Sequence, residues 1–413
     1  MNVNPVKGMR EFLPAENRLR EHVKSVIMAT YEQQGFELIS TPAVENIDLL
    51  TNSEGGDNLQ LIFKILKRGE KLQLGQPGLT EDDLVDLGLR YDLTLPLSRF
   101  YANNRSKLHA PFKTMQIGTV YRAERQQRGR YRAFTQCDID IIAEPSHIAE
   151  CELIQSTAKV LCSLGFTGFK VKISDRRILS TVIANAGFPV DTVAGICTAL
   201  DKADKIGWVK VENELLAAGF DQAKVRVLLE TIRGLCIEDL ESQGVADDII
   251  VPLREVIAIT TAQSNSQYEI AFVPTLVRGM GYYTGMVFEI ETGGLGLSVA
   301  GGGRYDNMIS KLSGVEVPAV GFSIGFERIV LLLQERGFIP PRSGKRIALL
   351  YNLEHDELAA ILSAAEEVRE QGLQANTIPA RAKLGRQLNQ LEASGYDGYY
   401  TLAKQAVSWF KGK

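Results

Sequence analysis

The sequence predicts a mixed α/β protein of two or three domains, in which an all-helical module interrupts a frame of strands and helices. A chain of 413 residues is too long for a single ordinary hydrophobic core. Residues from about 180 to 262 have helical periodicity and few strand signals, which indicates a helical insertion. Beyond a linker at 337–344, residues 345–413 alternate strand and helix patterns and predict a small separate α/β domain.

The composition is typical of a soluble globular protein, with 45% hydrophobic and 23% charged residues. The net charge of -4 argues against a general nucleic-acid coat protein but leaves open a large RNA partner that meets local basic patches. The five cysteines form no CxxC pair and the four histidines are far apart, so we expect reduced thiols and no zinc site. No run resembles a signal segment or approaches membrane-spanning length, which predicts a cytoplasmic protein.

The N-terminal region predicts a long helix followed by a strand that stops at a proline. Apolar residues recur at helical spacing from Glu16 to about Gln34, and 36–40 has strand character before Pro42. This order is common at interfaces, although an edge strand explains Pro42 equally well.

A second strand is predicted at 89–96, with a helix opening at Pro96. In this pattern Asp92 and Thr94 lie on one face at the strand end, where they would line a site. The polar face of a half-buried strand is the simpler explanation for them.

A basic loop between two predicted strands is the most distinctive feature. The segment 112–121 has strand character, and in the following segment Phe134, Gln136, Asp138 and Asp140 alternate onto one face. The loop between them is rich in arginine: Arg122, Arg125, Arg128, Arg130 and Arg132. Guanidinium groups bind phosphate through paired hydrogen bonds, and the nearby carboxylates suit an amine. A pocket for both is one hypothesis, and a solvated basic hairpin is the other.

Three glycine-containing segments follow the helical module. Arg278, Tyr282 and Tyr283 lie in a glycine-rich turn, where glycine lets backbone approach a ligand. The three consecutive glycines at 301–303, interpreted as a loop, indicate close backbone approach to something flat or anionic, although glycine loops are weak evidence alone. Glu327 and Arg328 begin an apolar helix, where a buried charge is costly unless it is paired or functional.

Together these segments resemble the histidyl-tRNA synthetase family of class II aminoacyl-tRNA synthetases over nearly the whole chain. The helix, strand and Pro42 resemble motif 1, Tyr121 to Phe134 resembles motif 2, and Gly321 to Arg328 resembles motif 3. Two further segments narrow the family, Arg278-Gly-Met-Gly-Tyr-Tyr-Thr-Gly and Gly-Gly-Arg-Tyr-Asp306. Each motif is weak alone, but five in the right order and spacing are a strong match.

The resemblance implies an α+β fold. A class II catalytic domain at 1–336 would hold an antiparallel sheet flanked by helices, with the helical insertion at about 180–262, and 345–413 would be a shortened anticodon-binding domain. It also implies a cytoplasmic homodimer that binds ATP, Mg²⁺, L-histidine and histidine tRNA. Its reaction as a histidine–tRNA ligase would be in-line attack of the histidine carboxylate on the α-phosphorus, followed by transfer of the histidyl group to tRNA.

The resemblance also implies a role for each matching residue. The catalytic residues would be Arg122, Arg278 and Arg328. ATP would be bound by Arg122, Glu124, Arg130, Arg278 and Arg328. Histidine would be bound by Asp92, Thr94, Gln136, Asp140, Tyr282 and Tyr283. No residue is predicted to hold a resident metal ion.

Two residues depart from the family pattern. The family usually has aspartate at Gly281 and glycine at Ala143. The main alternative function is a catalytically silent paralogue, the regulatory subunit of ATP phosphoribosyltransferase, which keeps the fold and the histidine pocket. Such paralogues tend to lose the phosphate-binding arginines, whereas this chain keeps Arg122, Arg278 and Arg328. An RNA-binding regulator without chemistry is a third alternative, which leaves the ATP-like motifs unexplained.

Overall fold

The structure is a computed structural model that describes residues 1–52, 56–74, 77–125, 129–278, 281–293, 297–342 and 344–410. The chain forms two compact units, Met1–Phe338 and Ile339–Lys413. Arg128 of the basic loop lies outside the described residues. Among the helices described, none combines the length and the apolar character needed to cross a membrane.

Some helices of the first unit alternate with its strands, whereas those within residues 176–263 follow one another along the chain and form the helical module. They are α1 (Pro14–Gln33), α2 (Ile47–Thr51), α3 (Glu81–Leu84), α4 (Thr94–Asn104), α5 (Ile148–Ser163), α6 (Arg176–Asn185), α7 (Val193–Leu200), α8 (Ala203–Ile206), α9 (Trp208–Ala217), α10 (Gln222–Gly234), α11 (Asp247–Gln263), α12 (Asp306–Ser313) and α13 (Phe326–Glu335). The second unit has α14 (Leu358–Glu370) and α15 (Leu384–Ala393).

The strands of the first unit form two sheets. They are β1 (Glu37–Leu38), β2 (Val44–Asn46), β3 (Lys64–Leu66), β4 (Val85–Leu89), β5 (Phe112–Tyr121), β6 (Ala133–Ile142), β7 (Phe169–Asp175), β8 (Tyr268–Phe272), β9 (Met286–Thr292), β10 (Leu297–Arg304) and β11 (Ala319–Ile324). The second unit has β12 (Arg346–Tyr351), β13 (Gln374–Pro379), β14 (Gly398–Thr401) and β15 (Ala406–Trp409).

Within the described residues, the central sheet has eight strands in the order β1-β5-β6-β11-β10-β9-β7-β8. Every inner pair is antiparallel, and only the two outermost pairs, β1 with β5 and β7 with β8, are parallel. A separate antiparallel sheet has the order β2-β4-β3. The predicted α+β fold with an antiparallel sheet flanked by helices is therefore confirmed.

Strand β6 separates the hydrophobic core from a polar face. Cys137, Ile139 and Ile141 are almost fully buried and belong to the core formed with α1, α5 and α13. Burying one such isoleucine side chain stabilises the fold by roughly 1.5–3 kcal/mol. Because successive side chains of a strand point to opposite faces, Gln136 and Asp138 lie on the other side of the sheet. The core thus fixes the register of the polar side chains.

Two local predictions are wrong. Residues 90–96 do not continue the strand, because Thr94 begins α4 and the backbone N–H of Leu95 donates to Asp92 Oδ1 at 3.2 Å. A carboxylate that accepts from a first-turn N–H favours a helix start over an extended chain. The three consecutive glycines are not in a loop but within β10, in the middle of the sheet.

The described part of the second unit contains, besides α14 and α15, a four-stranded sheet in the order β13-β12-β14-β15. The first three strands are parallel, and β15 pairs antiparallel with β14. Side chains of β12 alternate between two small cores, with Ile347 and Leu349 on one face and Ala348 and Leu350 on the other. Because both faces of β12 pack in a hydrophobic core, its sequence is a continuous apolar run. Strand β15 was not predicted from the sequence.

Candidate active site

The predicted site residues converge on one cleft on the polar face of the central sheet, with a volume of about 840 Å³. Those that line it are Asp92, Thr94, Arg122, Glu124, Arg130, Gln136, Asp140, Arg278, Tyr282, Tyr283 and Arg328. Of the remaining loop arginines, Arg132 donates from its Nε to the backbone oxygen of Glu124 at 3.1 Å, and the exposed Arg125 is not part of the cleft lining. The structure therefore brings together residues that are up to 236 positions apart, Asp92 and Arg328.

Arg122 is held in one orientation by its own surroundings. Its Nε donates to the backbone oxygen of Tyr91 at 2.9 Å, and its guanidinium lies over the ring of Phe134, 5.3 Å from the centroid. Glu124 lies nearby with Arg130, their side chains 3.8 Å apart at Oε2 and Nη1. Because Arg122 is fixed before a ligand arrives, it loses little side-chain entropy on binding one.

Arg278, which lies between β8 and β9, and Arg328, which lies in α13, also line the cleft. Arg278 Nη1 forms an ion pair with Glu289 Oε2 at 2.5 Å, and Arg328 donates to the backbone oxygen of Ser298. Burial lowers the pKa of Arg278, but the nearby Tyr283 and Glu289 outweigh it and the pKa is raised. Burial lowers the pKa of Arg328, and Arg130 adds to this effect. Together with Arg122 and Arg130, these two arginines are the set of cleft residues that we call the cationic half.

A second set of cleft residues, which we call the acceptor half, has buried hydrogen-bond acceptors. Asp92 Oδ2, Gln136 Oε1 and Asp140 Oδ2 are buried atoms without a hydrogen-bond partner within the described part of the protein. Burial raises the pKa of Asp92 to about 6 and that of Asp140 to about 7. Unpaired buried acceptors are costly, so this arrangement indicates a ligand that donates several hydrogen bonds.

Aromatic side chains enclose the acceptor half. The rings of Tyr282 and Tyr283 lie 4.7 Å apart, and Tyr305 meets Tyr282 edge-on at 6.0 Å. The Tyr305 hydroxyl donates to Asp140 Oδ1 at 2.6 Å, which leaves Oδ2 as the free acceptor. Burial is the main reason that the pKa of Tyr282 is raised well above its usual value, so its hydroxyl stays protonated.

Glycines in β10 and β11 make room for these side chains. A Cβ at Gly301 would overlap the guanidinium of Arg278, and a Cβ at Gly321 would overlap Asp140 Oδ1. The sequence indicated that a group lies close to the backbone at residues 301–303. In the structure, the guanidinium of Arg278 is one such group.

Several cleft residues had no assigned role in the sequence. Asp138, Ser323 and Tyr305 all line the cleft. The alternation of β6 already placed Asp138 beside Gln136, so a signal for it was present. Arg20 and Glu327 form a buried ion pair at 2.6 Å, and Glu327 also lines the cleft. The two residues are 307 positions apart, and no local pattern connects them.

Comparison with known proteins adds an independent line of evidence. The model of the histidyl-tRNA synthetase family matches residues 8–329. The chain belongs to this family. A curated relative named histidine–tRNA ligase, from Leifsonia xyli subsp. xyli, is 40% identical over 85% of this chain and 84% of its own length. A probable histidine–tRNA ligase from Tropheryma whipplei strain Twist is 37% identical over 97% of this chain and 95% of its own length.

Solved structures confirm the fold of this family. The histidyl-tRNA synthetase of Nostoc sp. PCC 7120 has a TM-score of 0.78 at 24% identity and covers 97% of this chain and 91% of its own. A protein from Bacillus halodurans, described as an ATP phosphoribosyltransferase regulatory subunit/histidyl-tRNA synthetase, has a TM-score of 0.75 at 19% identity and covers 97% of this chain and 98% of its own. At these identities the likeness concerns the fold alone.

The two departures from the family pattern have different structural settings. Gly281 is exposed and outside the cleft lining, and its backbone oxygen accepts from Arg176 Nη1 at 2.9 Å. Ala143 follows β6 with a φ of 66°, in the left-handed region that favours glycine. The alanine is therefore strained where the family usually has glycine.

Proposed function

We propose that the chain is a histidine–tRNA ligase. In the first step a carboxylate oxygen of histidine attacks the α-phosphorus of ATP. The bond between this phosphorus and the oxygen that bridges the α- and β-phosphates breaks, and histidyl-adenylate and pyrophosphate form. In the second step the 3′ end of the tRNA takes the histidyl group and AMP leaves. Family membership and the ligases at 40% and 37% identity support this function.

One observation of the site carries the proposal. The cleft has a cationic half with Arg122, Arg278 and Arg328, and an acceptor half with Asp92 and Asp140. ATP brings negative phosphates, and histidine brings an ammonium group and a ring N–H. A cleft lined by both sets of residues can place each charged group of the two substrates beside a group of opposite charge.

In the cationic half, Arg122 would contact the α-phosphate and the histidine carboxylate, and Arg278 the α-phosphate from the other side. Arg328 and Arg130 would bind ATP towards its pyrophosphate end, and Glu124 would accept from the adenine amino group. Phosphoryl transfer depends mainly on positioning and on stabilising charge that develops on oxygen. Removing one such donor costs roughly 3 kcal/mol of transition-state stabilisation.

In the acceptor half, Asp92, Thr94 and Gln136 would hold the α-ammonium group, which has three N–H donors. Asp140 Oδ2 would accept from the imidazole N–H, and the hydroxyls of Tyr282 and Tyr283 would bind the other ring nitrogen. A pocket that satisfies both ring nitrogens rejects apolar analogues, because its own polar groups would stay unpaired.

Magnesium would enter as the partner of ATP. No group of three or more acidic, histidine or cysteine side chains that could hold a metal ion occurs among the described residues. Mg²⁺ bound to nucleotides takes phosphate oxygens and water as ligands, with one or two carboxylates. Glu289 and Glu291 line the cleft and could supply them, although each is paired with a cation, Arg278 and Lys172 respectively.

The remaining proposals concern assembly and tRNA. The catalytic domain would span 1–336 and the C-terminal α/β domain, 345–413, would bind the anticodon. The active form would be a cytoplasmic homodimer. Sedimentation of the purified protein tests the dimeric state. The paralogue function is not favoured, because the curated relatives at 40% and 37% identity are named as histidine–tRNA ligases.

The test is histidine-dependent exchange of pyrophosphate into ATP. We expect exchange with histidine and Mg²⁺, its loss on chelation of Mg²⁺, and near abolition by Arg278→Ala. Arg226→Ala is the matched control, since Arg226 is an exposed arginine of the helical module that pairs with Glu212 at 3.2 Å. A folded protein without exchange would refute the ligase function. Exchange without charging of histidine tRNA would refute the second step alone.

A further inference from the structure

Asp138 lies between two proposed histidine-binding residues, Gln136 and Asp140, on the cleft face of β6. It is only 3% exposed. Ser323 Oγ donates to Asp138 Oδ1 at 2.5 Å, and Gln136 Nε2 donates to Asp138 Oδ2 at 3.3 Å. Both carboxyl oxygens are therefore occupied, whereas Asp92 and Asp140 each keep one oxygen free. Asp138 is thus not arranged as a direct ligand.

These contacts fix the orientation of the Gln136 amide. An amide group has donors only on its nitrogen and acceptors only on its oxygen. Because Gln136 Nε2 faces Asp138 and Ser323, which lie 3.3 Å away, Gln136 Oε1 is buried in the cleft without a partner. With the amide reversed, Oε1 would face the Asp138 carboxyl group and Nε2 would point into the cleft.

We propose that Asp138 is a positioning residue that determines the preference of the pocket for a ligand with an α-ammonium group. It does so by presenting Gln136 Oε1, an acceptor, where a free amide would equally present a donor. The inference rests on the proposed function, in which Gln136 binds the α-ammonium of histidine. It assigns to Asp138 a role that acts through Gln136 and not through its own charge.

The hydrogen bond from Gln136 Nε2 is available to both ionisation states of Asp138. Burial and the nearby Asp140 raise the pKa of Asp138. A neutral carboxyl group still has a carbonyl oxygen that accepts from Gln136 Nε2, and Ser323 Oγ accepts from the same nitrogen at 3.3 Å. The hydrogen bond, and not the charge, is the feature that the test must separate.

The test compares three ligands by calorimetric titration: L-histidine, histidinol, and 3-(imidazol-4-yl)propanoate, which lacks the amine. For Asp138→Ala we expect roughly 10- to 100-fold weaker binding of histidine and histidinol, as for loss of a hydrogen bond to a charged group. Binding of the propanoate should change less than about twofold. Asp138→Asn keeps a carbonyl oxygen for Gln136 Nε2 and an N–H for Ser323 Oγ, so it should restore binding to within about threefold.

A double-variant comparison isolates the route through Gln136. In a Gln136→Ala background, adding Asp138→Ala should weaken histidine binding by less than about twofold. Equal weakening of all three ligands, loss in Asp138→Asn as large as in Asp138→Ala, or additive losses in the double variant would each overturn the inference. These outcomes are read against wild-type binding, so they differ from failure of the proposed function, in which the wild-type protein itself neither binds histidine nor catalyses exchange.

Discussion

The buried ion pair between Arg20 and Glu327 should be worth several kcal/mol to the catalytic unit. Arg20 Nη1 and Nη2 contact Glu327 Oε2 and Oε1 at 2.6 and 2.8 Å, and each side chain is only 6% exposed. Glu327 Oε1 also accepts from the backbone N–H of Thr135 at 3.1 Å, and the Arg20 guanidinium lies 3.8 Å from the ring centroid of Phe12. The pair therefore connects α1, β6 and α13, which carries Arg328.

Removing one partner leaves the other as an uncompensated buried charge. For Arg20→Met or Glu327→Met we expect a loss of about 3–5 kcal/mol in the free energy of unfolding. Replacing both residues by methionine removes both charges and leaves the backbone N–H and the hydroxyl of Thr135 without these partners. Losing the partner of the buried N–H costs about 1–3 kcal/mol. The double variant should therefore be more stable than either single variant.

The assay is chemical denaturation followed by circular dichroism, applied to all four proteins. Lys202→Met is the control, because Lys202 pairs with Glu214 at 2.8 Å on an exposed surface and should change stability by less than about 1 kcal/mol. If the double variant lost as much free energy of unfolding as the two single variants together, the buried ion pair would not explain the single losses. In the exchange assay, the single variants should raise the KM for ATP more than that for histidine, since Arg328 follows Glu327 directly.

Three further predictions concern the sheet and the acceptor half of the cleft. Gly321→Ala should displace Asp140 and lower kcat/KM for histidine roughly 100-fold, whereas Gly195→Ala, where a Cβ meets nothing within 4 Å, should leave it unchanged. Ala143→Gly should raise the free energy of unfolding by about 1 kcal/mol by relieving the positive φ; a loss would contradict the strain. The pKa values of Asp92 and Asp140 are raised to about 6 and about 7, so the free energy of unfolding of the ligand-free protein should fall as pH rises from about 4 to 7. The fall should be smaller in Asp140→Asn. A free energy of unfolding that does not change over this pH range would contradict the prediction.

Periodicity in the sequence predicted the part of the site that a single strand determines. In β6 the alternation assigned Gln136, Asp138 and Asp140 to one face, and all three line the cleft. This prediction succeeds because a period of two follows from backbone geometry alone and the buried residues between them fix the register. The proposed roles of these residues, in contrast, came from the family resemblance and stay predictions.

Local patterns failed where tertiary contacts decide the structure. The alternating segment around Asp92 resembles a strand, but its carboxylate accepts from the N–H of Leu95 and a helix begins at Thr94. Glycine is depleted in strands, so 301–303 resembled a loop, although the structure places it in β10. The partner of Glu327 lies 307 positions away, and no window of the sequence includes both.

The glycines of β10 and β11 show how the sheet gives up intrinsic stability for the site. Glycine weakens a strand interior because it loses more backbone entropy and offers no side chain to pack. At Gly301 the vacated space holds the guanidinium of Arg278, and at Gly321 it holds the carboxylate of Asp140. The two glycines lie on paired strands, Gly301 opposite Ser323 and Gly321 opposite Gly303. The same sheet surface thus admits the cationic side chain of Arg278 at one glycine and the carboxyl group of Asp140 at another.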